Sequence, residues 1–266
     1  MDHAAIRRQM PALVAGHLPR NIKRLKYRIY DDQHGVTALG LNIDPKPFQG
    51  TVIAKTGDAI VIKVARAEFA VIDRKLASSD PEQGAKVDVT PYARHHFDGT
   101  RIDAPIEERR QTPDGQTYTV QSVILSGPTT KLPLPAPRCP ELAALIEQIE
   151  RLPAPDGFRR IAHLLVDAGA RDFLCVDPVP EEIIRTPPSI RFNVATAKFA
   201  GQVTVLYERG LDLYAVELHR DDERVERVDE VFADMLGEVL ERLVDDGHWR
   251  RIQVDVMTRK ARSPLH

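Results

Sequence analysis

Between Ser126 and Pro140 the chain reads SGPTTKLPLPAPRCP, five prolines in fifteen residues. Each proline removes a backbone donor and pushes the residue before it toward extended geometry, so neither a helix nor a central strand runs through this stretch. A chain of 266 residues has room for two ordinary domains. The proline run predicts where they divide: a semi-rigid linker at 126–140, or a strap lying along a surface.

Before that division the pattern is mostly β. A basic N-terminal helix is expected over residues 1–17. Short β-rich runs follow at 27–31, 36–42, 48–55, 59–64, 69–72, 86–91 and 117–125, punctuated by Gly, Pro and Asp. Gly57 and Asp58 mark a hairpin turn between the third and fourth runs. Residues 52–55 and 59–64 are apolar almost without interruption, which fits burial on both faces or a tight curl. The expectation is a small β-barrel of SH3 or OB type at 18–125.

After the proline run, helix and strand mix. Leu142, Leu145, Ile146, Ile149 and Leu152 form one stripe of an amphipathic helix at 141–152. A second helix is expected at 158–168, a buried strand at 173–176, and strands at 190–195, 202–207 and 213–218, the last two as a hairpin. A long helix at 228–243 and a final strand at 252–257 complete the pattern. The prediction for 141–258 is an α+β domain with an antiparallel sheet, followed by a tail at 259–266. The fold class expected for the whole chain is therefore α+β.

Composition narrows function by exclusion. With 37 basic against 39 acidic side chains the net charge is −2, which excludes a generally basic nucleic-acid coat but not a local patch. Two cysteines, Cys139 and Cys175, exclude a disulfide framework and a Cys-rich zinc site. No window of about 18 apolar residues occurs, and the N-terminus has no continuous apolar core of a signal peptide. A soluble, cytoplasmic protein without membrane contact is the expectation. No phosphate-loop, dinucleotide-fingerprint, nucleophile-elbow or His-Glu-x-x-His pattern is present, and no cofactor is implied.

One stretch carries a resemblance. Phe48-Gln49-Gly50-Thr51-Val52-Ile53 opens it, Val64-Ala65-Arg66 and Val71-Ile72-Asp73-Arg74-Lys75-Leu76 continue it, and Pro81-Glu82-Gln83-Gly84-Ala85-Lys86-Val87 closes it. Over about residues 47–99 this resembles the KfrB-type domain of plasmid-encoded and conjugation-associated proteins, with Ile72 where that pattern has a histidine. The second half is similar to proteins carried on proteobacterial plasmids and integrated elements. The resemblance implies a setting, accessory to a mobile element, and not a reaction.

Three polar groupings compete as candidate sites. Arg20, Lys23, Arg24, Lys26 and Arg28 fall within nine residues, and residues 1–30 hold seven basic side chains against one acid, Asp2. Such a concentration suits phosphate contact, where each neutralised phosphate releases counterions. An aromatic share of 6% argues against the stacking platforms of single-strand binders. Double-stranded DNA backbone or an acidic protein is the expected partner. His95, His96 and Asp98 form the second grouping, but adjacent side chains on an extended segment point to opposite faces, so a metal there needs a further ligand such as Asp103. Asp177 is the third, at the end of an apolar run.

The function expected is binding without catalysis. The alternatives are a metal-assisted hydrolase built on His95, His96 or Asp98, or on Asp177, and a self-associating module that pairs through an exposed strand edge.

Overall fold

The computed structural model describes residues 1–19, 25–36, 40–122 and 129–257. The chain forms two compact units, Met1–Ala93 together with the chain from Trp249 onward, and Arg94–His248. Where the sequence pattern places 94–125 with the first domain and 249–258 with the second, the division falls instead at Ala93/Arg94 and His248/Trp249.

The first unit opens with α1 (His3–Val14). The Asp2 carboxylate starts it by accepting the amides of Ala4 and Ala5, at 2.8 and 3.1 Å. Ile6, Met10 and Val14, four residues apart, bury one stripe. Strands β1 (Lys26–Tyr30), β2 (Phe48–Lys55), β3 (Ala59–Ala65), β4 (Glu68–Asp73) and β5 (Lys86–Thr90) follow.

The second unit runs β6 (Ile106–Gln111), β7 (Thr117–Ser122), α2 (Pro140–Arg151), α3 (Ile161–Asp167), β8 (Arg171–Val176), β9 (Ser189–Ala195), β10 (Ala200–Glu208), β11 (Leu213–Arg220), β12 (Glu223–Val231) and α4 (Leu236–Val244). The chain then returns as β13 (Gln253–Val256), which pairs antiparallel with β5 and so belongs to the first unit's sheet.

That sheet has the order β1-β4-β3-β2-β5-β13, with β1 parallel to β4 and every other pair antiparallel. Alternate side chains divide between two cores. Ile53, Val61, Phe69 and Val71 pack with the α1 stripe. Val52, Ile60, Ile62, Ile72, Val89 and Val254 form the opposite core. Burial on both faces explains why 52–55 and 59–64 are apolar almost throughout. Gly50 sits where the strands are tightest: a Cβ there would lie 2.6 Å from the Lys63 carbonyl oxygen and against the Ile62 side chain.

The expected barrel is corrected in one respect, since no closed barrel is found among the described strands. β1 takes the outer edge of β4, the edge a closing strand needs, and β13 ends the other side of the sheet. β13 instead approaches the chain just beyond β4. Ile252 N–H donates to Leu76 O and Ser78 N–H to Ile252 O, both at 2.8 Å.

The second unit is α+β, with an entirely antiparallel sheet of order β12-β11-β10-β9-β8. Leu142, Leu145 and Ile149 of α2, Ile161 and Leu165 of α3, and Leu240 and Leu243 of α4 pack with Phe192, Val203, Val205 and Val216 of the sheet. β6 and β7 form a separate hairpin.

The long helix expected at 228–243 is corrected. Its first part is β12, and helix begins only at Leu236, after a 3-10 turn at Ala233–Met235. Tyr214 faces Val231 and Val216 faces Val228, so three residue steps on β12 span two on β11. This bulge converts a strand's two-residue spacing into the three-residue spacing of a helix face. The strand expected to be buried at 173–176 is likewise an edge strand, with Leu174 62% exposed and only Phe173 and Cys175 packed on the core.

The described part of the proline run, 129–140, is pinned within the second unit. The buried Glu150 carboxylate accepts Leu132 N–H at 3.0 Å and pairs with Lys131 Nζ at 2.5 Å. Asp177 accepts the amides of Arg138 and Cys139, at 3.0 and 2.8 Å, just before Pro140 opens α2.

Candidate functional site

Period-two alternation on β1 decides which of its side chains meet. Tyr27 and Ile29 turn toward the α1 core, while Tyr30 packs against the opposite one. Lys26 and Arg28 stand four and two residues before Tyr30 and share its side of the strand. Burial pushes the Tyr30 phenol above its ordinary range, and the nearby Arg28 charge pulls it back. The Tyr30 and Phe48 rings lie 5.1 Å apart.

At the end of β1 the chain bounds a recess of about 160 Å³, walled by Tyr30, His34 and Tyr92, with Ile43 on one side and Arg28 and Arg250 also lining it. Trp249 lies behind two of the rings. It is only 8% exposed, stacked on His34 at 5.5 Å and met edge-on by Tyr92 at 4.8 Å, with the Arg250 guanidinium over it at 5.1 Å. Packing of this kind fixes the orientation of the His34 and Tyr92 rings. Asp31 also borders the recess, but its oxygens are engaged: Oδ2 lies 2.5 Å from His3 Nε2, and Oδ1 accepts Gln33 N–H at 3.1 Å. Arg28 and Arg250 are exposed.

Of the basic cluster, Lys26 and Arg28 are placed here; Arg20, Lys23 and Arg24 lie outside the described residues. His95, His96 and Asp98 belong to the second unit, in a tight loop. His95 bridges Arg101, His96 N–H donates to Thr100 O at 2.8 Å, and Asp98 accepts the Thr100 amide and hydroxyl at 2.9 and 2.6 Å. Among the described residues no three His, Cys, Asp or Glu side chains are grouped to hold a metal. Asp177 is occupied in capping the approach to α2, and the two backbone amides hold its carboxyl below the usual range. Burial and the neighbouring Asp177 charge push the Cys175 thiol up, away from nucleophilic reactivity.

The second unit also contains a buried histidine. His163 Nδ1 accepts Arg160 N–H at 3.1 Å, and Nε2 is buried without a hydrogen-bond partner. Burial first, then the charges of Arg94 and Arg160, depress its pKa to about 3.

Sequence reasoning missed His34, Tyr92, Trp249 and Arg250, because the recess joins segments far apart in the chain. The available signal was His248-Trp249-Arg250-Arg251, a local aromatic and basic run containing the chain's only tryptophan.

Comparison with protein-family models, curated proteins and solved structures finds no match to this chain. Among the described residues no helix is long and apolar enough to cross a membrane.

Proposed function

We propose that this chain is a non-enzymatic binding protein of the cytoplasm, accessory to a plasmid or other mobile element, which holds DNA by its phosphate backbone on the Lys26–Arg28 side of β1. The observation that carries this reading is the shared face of Lys26 and Arg28, with Arg250 and Arg28 on one recess. Alternate side chains on a strand stand about 7 Å apart, the scale of the step between neighbouring phosphates. The mobile-element setting is what the KfrB-like stretch implies.

The same proposal takes the first unit as an SH3- or OB-like small barrel in outline. The hydrogen bonds from Ile252 and Ser78, which bring the start of β13 to the chain after β4, support that view. An acidic protein would engage the same cations, and binding measurements separate the two partners.

The test is a mobility shift with duplex DNA at two salt concentrations. Binding should weaken steeply with salt, and Lys26→Glu with Arg28→Glu should weaken it by about tenfold or more and flatten the salt dependence. Undetectable binding at low salt, or binding unchanged by the charge reversal, removes the reading.

A further inference from the structure

We propose that the recess at the end of β1 accepts one unstacked nucleobase of a single-stranded nucleic acid, with Arg28 and Arg250 on the flanking phosphates. This rests on the backbone-binding reading above and changes its substrate class from duplex to single strand. A 6% aromatic content argues against stacking when the rings are scattered. Here they are gathered: Tyr30, His34 and Tyr92 line one recess, and Trp249 braces two of them. Aromatic rings stack on any base.

Size and charge agree with that occupant. About 160 Å³ is well below the roughly 300–1,000 Å³ of a drug-sized site, and it suits a single planar ring system. A base inside a duplex stack cannot enter such a recess, whereas an unpaired one can. The two exposed guanidiniums offer paired donors that match phosphate oxygens. The Asp31 carboxylate, already held by His3 and the Gln33 amide, adds little repulsion. Asp32 and Gln33, both exposed along the same wall, supply polar groups for a base edge.

Trp249 is a built-in reporter, being the only tryptophan. The experiment titrates the unmodified protein with a mixed-sequence 12-nucleotide single strand and with the matching duplex, at low salt. Anisotropy of a labelled strand and Trp249 emission are the two readings. The single strand should bind at least about tenfold more tightly than the duplex and shift Trp249 emission. Tyr92→Leu should lose about tenfold or more of single-strand affinity with an unchanged salt slope, and Tyr92→Phe should retain it. If Tyr92→Leu fails to fold, the unmodified protein still decides. Equal binding of strand and duplex with unmoved Trp249 emission overturns the base-binding recess and leaves the backbone reading standing. Failure of both nucleic acids to bind overturns both. Binding of polyglutamate as tightly as the single strand overturns the base-binding recess in favour of an acidic partner.

Discussion

Arg159 Nη1 donates to Asp167 Oδ2 at 2.8 Å, and the same guanidinium, with no exposed side-chain surface, also meets Asp156 at 2.9 Å and Asp245. One cation thus joins the loop before α3, the end of α3 and the residue that caps α4. A planar fork with five donors can serve three carboxylates at once, which a lysine ammonium on a flexible stem does less well.

Replacing Arg159 with methionine should therefore leave three clustered carboxylates without their counter-charge. The expected loss is about 3–5 kcal/mol of stability, read as a shift in the urea midpoint, and Arg159→Lys should recover only part of it. A change below about 1 kcal/mol would mean that the cluster is not fully desolvated.

His163 gives a dependence on pH with a definite sign. Its folded pKa is about 3, against about 6.5 for an unfolded histidine. Between those values the unfolded chain binds a proton that the folded chain refuses. Stability is therefore complete above about pH 6.5 and falls on acidification toward pH 3, by up to about 1.4 kcal/mol per unit. Carboxylates add their own acid lability, so the comparison is with His163→Asn, whose Oδ1 can accept the Arg160 amide without titrating. Denaturant midpoints from pH 7 to 4 should fall less steeply in the variant.

Asp177 and Glu150 hold the proline-rich strap from two places. Asp177→Ala should free the amides of Arg138 and Cys139 at a cost of about 1–2 kcal/mol, and Glu150 should still hold Leu132. Hydrogen exchange should then speed up at 138–139 and stay slow at 132. Uniform acceleration across 129–139 would show that the strap is released as one piece.

Legibility in the sequence followed physical range. The Phe48–Lys55 and Ala59–Ala65 hairpin and the Ala200–Glu208 and Leu213–Arg220 hairpin were readable because turn and alternation lie within a few residues. The α2 stripe was readable for the same reason. Val228 and Val231 misled because a bulge imitates helical spacing, and Leu174 misled because an apolar run on an edge strand reads like a buried one. Lys26 and Arg28 were legible as a charge cluster. The rings beside them were not, since Tyr30 and Tyr92 lie far apart in the chain and Trp249 arrives only with the segment that leads into β13, the partner of β5. The Arg159 cluster was equally hidden: Asp245 is 86 positions away.

The return of β13 also sets an order of events during synthesis. Val254 N–H donates to Ser78 Oγ at 2.7 Å across 176 positions. As translation proceeds from the N-terminus, all of the second unit emerges from the ribosome before the first unit's sheet can gain its last strand. A nascent chain paused before Trp249 leaves the β5 edge bare, a template for stray strand pairing. It also lacks both Trp249 and Arg250, so the recess is completed only as that segment docks.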